Sequence, residues 1–308
     1  APPPPAPPSP APPCPLAPLP PPPSLTRFPP PSPLQVPNLV CNCVCLSPSG
    51  TEIVSGWSDG RVRAFGPQSG KLLYVINDAH KIVGVGNASG GETPKNGVTA
   101  VTCTNDCKRL ISGGADGQVR VWAVAKETQV MIASMKEHKG PVYQIAVKGD
   151  DTECVSASAD GSCITWALAG MQSFTRQGAL FAANFFKSVV YHPDESQLLT
   201  CGTDRKLTYW DVTDMAAIRI VDGSMTAECN TLNICADGRF FVSGGGDKKV
   251  KLWHYDEGSQ YYEGQGHSGA IIKAVIAPDE QRIITVGGEG GIFIWKVPDE
   301  FQGAGAAA

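Results

Sequence analysis

Six times along this chain an apolar run leads into a tight turn and then a strand-like stretch ending in an aromatic residue. The copies read SGWSDGRVRAF, SGGADGQVRVW, SASADGSCITW, TCGTDRKLTYW, SGGGDKKVKLW and TVGGEGGIFIW. Their acidic turn residues are Asp59, Asp116, Asp160, Asp204, Asp247 and Glu289, at spacings of 57, 44, 44, 43 and 42. The closing aromatics Phe65, Trp122, Trp166, Trp210, Trp253 and Trp295 keep the same intervals. A unit of this length cannot bury both of its faces alone, so the copies must stack on one another. Each copy holds an apolar first strand, a polar turn, a second strand ending in Ser or Thr and Gly, the acidic turn, a third strand and a weaker fourth. Short β-branched runs parted by Gly, Asp and Pro are how four-stranded propeller blades read. The expectation is an all-β propeller with six recognisable four-stranded blades, closing as a ring of six, or of seven with one blade incomplete.

The length of 308 residues would by itself suggest two domains. The repeat overrides that prior, because stacked blades share one ring. A net charge of −4 argues against bulk nucleic-acid binding, where the phosphate backbone demands a strongly basic surface. No stretch approaches a membrane span of about 18 apolar residues, and no signal-peptide pattern opens the chain. The 11 cysteines sit mostly in strand-like runs without disulfide-like spacing, which suggests reduced thiols and a cytosolic-type compartment. Cys41, Cys43 and Cys45 resemble a metal cluster at first sight. Period-2 alternation instead puts them on one face of one strand, as small buried side chains, with no second CxxC or His pair to complete a tetrahedron. No metal and no cofactor is expected.

Residues 1–33 hold 19 of the 27 prolines. Proline removes backbone donors and fixes φ, so this head is expected to be disordered or polyproline II, forming neither sheet nor helix. The propeller is expected over 34–298, with residues 299–308 as a flexible tail. Residues 83–96, VGVGNASGGETPKN, are an insertion; without them the first spacing returns to 43. Its glycines lack the preceding strand and following helix of a phosphate loop, so a surface loop is expected. The sixth copy has no fourth strand of its own after Trp295, and Leu34–Val36 is the candidate to supply one.

The copies resemble the WD40 family. That resemblance implies a hydrogen-bond chain from a His before the first strand, through a Ser or Thr on the second and the turn acid, to the Trp. Blade 2 offers His80, Ser112, Asp116 and Trp122. Blade 3 offers His138, Ser156, Asp160 and Trp166, and blade 6 His267, Thr285, Glu289 and Trp295. Blades 4 and 5 lack the His but keep Thr200, Asp204, Trp210 and Ser243, Asp247, Trp253. Blade 1 keeps Ser55 and Asp59, but Phe65 has no donor for the last link. Ser, His and Asp together invite a hydrolase reading. Several similar copies around a ring suit architecture, whereas catalysis needs one asymmetric constellation, and no GxSxG elbow is present. No catalytic residue and no enzyme activity are expected.

The two turn sets differ in charge. Asp106, Asp150, Asp151, Asp194, Glu195, Asp237, Asp279 and Glu280 lie between strands one and two, whereas Arg61, Arg205, Lys206, Lys248 and Lys249 lie between strands two and three. In a propeller these turns emerge on opposite faces, so the second set is a candidate face for an acidic protein partner. The residues just before each turn acid are small, and only Trp57 lies close by, which disfavours an aromatic cage for a modified lysine.

Four stretches are more specific: DCKRLISGGADGQVRVW, EHKGPVYQIAV, GTDRKLTYWDV and SGWSDGRVRAFGPQSGKLLYVINDAH. They resemble the C-terminal propeller of two-propeller ciliary WD-repeat proteins, over roughly residues 35–298. The resemblance implies a component of axonemal doublet microtubules in cilia and flagella, attached to tubulin within the lumen beside other axonemal proteins. It would be a cytoplasmic and cytoskeletal scaffold supporting stability and motility. The alternative is a cytosolic WD40 adaptor such as a ubiquitin-ligase substrate receptor, which would need an Arg-rich channel mouth; Arg61 and Arg205 are the hints.

Overall fold

A computed structural model describes residues 14–15, 39–80, 97–125, 128–168 and 174–301. They form six antiparallel sheets arranged as the blades of a β-propeller. The innermost strands are Cys41–Leu46, Val98–Cys103, Val142–Val147, Phe186–Tyr191, Cys229–Ile234 and Ile271–Ile276. In each blade the next strands follow outward in chain order. Blades 1 to 5 have four such strands and blade 6 has three among the described residues. Leu34–Val36 and residues 83–96 lie outside the described residues. No helix described is long and apolar enough to cross a membrane.

Every inner strand carries a register shift between its first and third residues, as between Cys41 and Cys43 or Cys229 and Thr231. The bulge breaks the alternation of a strand. The first and fourth positions therefore face the preceding blade, and the third and fifth face the following one. This corrects the expectation that Cys41, Cys43 and Cys45 share a face. Cys43 packs on the core between blades 1 and 2, whereas Cys41 is exposed on the other side. The ten cysteines from Cys41 to Cys235 are free.

Five apolar cores fill five of the seams between blades. The seam between blades 4 and 5 is aromatic: Tyr209 meets Tyr255 at 4.9 Å and Phe241 stacks on Trp253 at 5.9 Å. Side chains of the inner strands also lace neighbours together. Asn42 donates to the Val98 carbonyl, Thr99 to that of Val142, Gln144 to that of Val189, and Asn230 to that of Ile271. Between blades 6 and 1 the described residues show no such lacing and no core. Val44 and Leu46 of blade 1 are 65% and 58% exposed, and Ile292 of blade 6 is 68% exposed. At the position of Ile292 the other blades carry Val62, Val119, Cys163, Leu207 and Val250, all buried.

Two terminal segments also take part. Cys14–Pro15 pairs in parallel with Gln260–Gln265, the outer strand of blade 5, although the head was expected to form no sheet. An outer edge is where a strand containing proline is tolerated. Within the expected tail, Asp299–Phe301 form a 3-10 turn, because Phe301 finds Phe240, Tyr261 and Tyr262 within ring-contact distance.

Candidate functional site

The turn acids and their partners come together as the repeat implies. In blade 2, His80 Nδ1 lies 2.9 Å from Asp116 Oδ1, and Nε2 lies 2.9 Å from Ser112 Oγ. The same hydroxyl oxygen accepts the Trp122 indole N–H at 2.9 Å. Blade 3 repeats the chain at 3.2 Å from His138 to Asp160, 2.7 Å to Ser156 and 2.8 Å from Trp166. In blade 6, His267 joins Glu289 to Thr285, which accepts from Trp295 at 2.8 Å. Burial pushes the His138 imidazole below its ordinary value, against the pull of Asp160. The neutral ring then donates from Nδ1 to Asp160 and accepts the Ser156 hydroxyl proton at Nε2. Ser112, Ser156 and Thr285 are fully buried, each hydroxyl held between an imidazole and an indole.

The blades without the histidine solve the same problem differently. In blade 5, Lys251 Nζ lies 2.6 Å from Asp247 and 2.7 Å from the Gly223 carbonyl, while Ser224 donates to Asp247 at 2.9 Å. Trp253 donates to Ser243 at 2.9 Å. In blade 1, Arg63 grips Asp59 through both terminal nitrogens and lies 5.0 Å over the Trp57 ring. The Trp57 indole donates to Ser55 at 2.8 Å. This corrects the reading that Phe65 leaves blade 1 without a donor, because an indole two residues from Ser55 takes its place. Both substitutes stand four residues after the acid, a position that blade 2 fills with Arg120, 3.9 Å from Asp116. Blade 4 keeps the 2.8 Å bond from Trp210 to Thr200. Its Asp204 accepts the Lys206 amide in its own turn.

On the opposite face the acids also do structural work. Asp106, Asp150, Asp194, Asp237 and Asp279 each cap their own turn by accepting an amide two residues on. The next residue clasps the preceding blade. Asp151 accepts the Asn105 and Asp106 amides at 2.8 Å, Glu195 the Gly149 amide at 2.8 Å, and Glu280 the Ala236 amide at 2.8 Å. Sequence reasoning saw these residues only as surface charge. Cys235, Asp237 and Glu280 bring their ligand atoms near one another there. Arg239 and the Ala236 amide already occupy the two carboxylates.

The predicted basic set divides in two. Arg61 lies 4.0 Å from Asp59, and Lys249 is paired with Glu263 at 2.7 Å. Arg205, Lys206 and Lys248 project from the turns of blades 4 and 5, exposed. A central channel of about 570 Å³ opens between the inner strands, lined by Asn42, Thr99, Tyr143, Lys187, Asn230 and Lys273 among others. Lys187 is held by Glu228, and Lys273 lies 3.3 Å from Gln144. Enclosure in the channel pushes the Lys273 ammonium below its ordinary value. No arginine is among the residues lining this channel.

Six blades fastened in this way define a WD-repeat propeller. A model of the WD domain, G-beta repeat, matches residues 35–65, 90–123, 129–167, 180–211 and 217–254, and the chain belongs to that family. It is 56% identical over 262 residues to cilia- and flagella-associated protein 52 of Chlamydomonas reinhardtii, covering 85% of this chain and 40% of that protein. It is 43% identical over 265 residues to the human protein of the same name, covering 86% and 40%. Similarity to cilia- and flagella-associated protein 57 of Mus musculus is weaker, 27% over 168 residues, covering 54% and 13%. The chain thus spans about 40% of the length of the first relatives.

Proposed function

We propose that this chain is the propeller of a non-enzymatic, protein-binding scaffold of motile cilia and flagella, a component of axonemal doublet microtubules that meets tubulin and other axonemal proteins on the luminal side. The observation that carries the ciliary assignment is the 56% identity to an alga's cilia- and flagella-associated protein. The buried Ser–His–Asp chains support a role as architecture, because their hydroxyls serve the indoles and imidazoles of their own blades. The sign and exposure of Arg205, Lys206 and Lys248 support a contact through the turns of blades 4 and 5. Expression of the tagged full-length protein in a ciliated cell, followed by detergent extraction of the cilia, tests the reading. Retention on the extracted axoneme is expected, and release with the soluble fraction would contradict it.

A further inference from the structure

The six acidic turns share one backbone requirement that two blades meet at a cost. The residue after the turn acid is left-handed in every blade. In blades 1, 2, 3 and 6 it is glycine: Gly60 (φ 76°), Gly117 (φ 71°), Gly161 (φ 82°) and Gly290 (φ 82°). In blades 4 and 5 it is Arg205 and Lys248, both at φ 66°. A long side chain in the left-handed region carries a steric cost that glycine avoids. Each is followed by a lysine, Lys206 and Lys249. Side-chain packing does not explain the two exceptions, because both residues are exposed.

Their surroundings are organised. Arg205 Nη1 donates to the Met225 carbonyl at 3.0 Å, which holds the guanidinium beside a methionine that is 79% exposed. The Phe185 amide donates to Thr203 at 3.0 Å, which fixes a phenylalanine that is 55% exposed next to the same turn. The nearby acids are largely taken. Asp247 is bound by Lys251 and Ser224, Glu228 by Lys187, and Glu263 by Lys249. Asp222 stands opposite Lys206 in register, with no ion pair between them among the described residues. Arg205 therefore lies against Met225, Phe185 is bonded to the same turn, and the Ser224–Asp247 bond brings the turn of Lys248 up to the Met225 segment.

We propose that Arg205, Lys206 and Lys248, together with Phe185 and Met225, form a docking site for an acidic protein segment that carries an apolar side chain. This deepens the reading of the chain as a protein-binding scaffold and rests on it. Carboxylates of the segment meet the three cations, and its apolar residue covers Phe185 and Met225, which water otherwise wets. The backbone strain at two turns is then tied to function, as strained positions at binding surfaces are.

The four other blades supply the test. Arg205→Gly with Lys248→Gly installs the residue that the turn prefers, so folding is kept while the charge is removed. The probe is a fluorescein-labelled peptide, Glu-Glu-Glu-Leu-Glu-Glu-Glu, read by anisotropy against the full chain at low ionic strength. Binding is expected to weaken at least about tenfold in the double variant while its Tm stays equal or rises. Met225→Ser is expected to weaken it several-fold, and the same peptide with Gln for Glu is expected not to bind. Unchanged binding by the double variant, or equal binding of the Gln peptide, would overturn the proposal. So would binding of heparin as tight as that of the acidic peptide, which would mark a bare charge effect. Axonemal retention of the wild-type protein is measured separately. Its failure alongside intact peptide binding would remove the ciliary assignment and leave the docking site standing.

Discussion

The seam between blades 4 and 5 and the seam between blades 6 and 1 are built from the same repeat and end in opposite states. At the first, Leu207, Leu232 and Phe241 are buried in an aromatic-rich core. At the second, Val44 and Ile292, the equivalents of Leu232 and Leu207, face water. A blade thus carries two apolar faces by default, and position in the ring decides whether they stabilise anything. The sharpest way to break this comparison is one substitution made at the same repeat position. Leu207→Ala is expected to cost about 2–5 kcal/mol by emptying a packed site. Ile292→Ala is expected to change stability by less than about 0.5 kcal/mol. Equal losses in chemical denaturation would mean that the two seams are equally packed.

The fasteners give a second, smaller contrast. Blade 3 ties its acid to a buried histidine, whereas Asp204 of blade 4 closes only its own turn. Asp160→Ala is expected to cost about 1–3 kcal/mol and Asp204→Ala less than about 1 kcal/mol. An unshifted melting curve for Asp160→Ala would remove the fastener assignment. Blade 3 also sets a pH dependence. The folded His138 imidazole titrates below its unfolded value, because burial disfavours the cation. Desolvation alone would raise the Asp160 carboxyl, but hydrogen bonds from Ser162 and the Lys139 amide outweigh it and hold it low. Both groups bind a proton more readily when unfolded. Their contribution is full above about pH 6.5 and falls with acidification, first through the histidine and then below about pH 4 through the aspartate. His138→Gln is expected to flatten the stability change between about pH 7.5 and pH 5.5, and an unaltered slope would contradict that.

The repeat made much of this legible. The period placed every acid, closing aromatic and histidine, because each blade repeats the same acidic turn beside the same second and third strands. What stayed hidden depends on partners that the repeat does not specify. Trp57 and Arg63 replace the missing indole and histidine of blade 1 from positions the pattern leaves free. The clasps of Asp151, Glu195 and Glu280 need the left-handed turn that points a carboxylate at the neighbouring blade, and their φ values of 58°, 64° and 53° show it. Cys41, Cys43 and Cys45 looked like one face because alternation was counted through a bulge. The exposure of Val44 and Ile292 could not be read locally, because their sequences are those of buried strands.

Native-state hydrogen exchange on the inner strands tests the contrast between seams most directly. Amides of Val190 and Leu232, flanking the packed seam, are expected to exchange only through near-global unfolding. Those of Val44 and Leu46, beside the open seam, are expected to exchange at least about tenfold faster through local opening. Equal protection of the two strands would contradict the account.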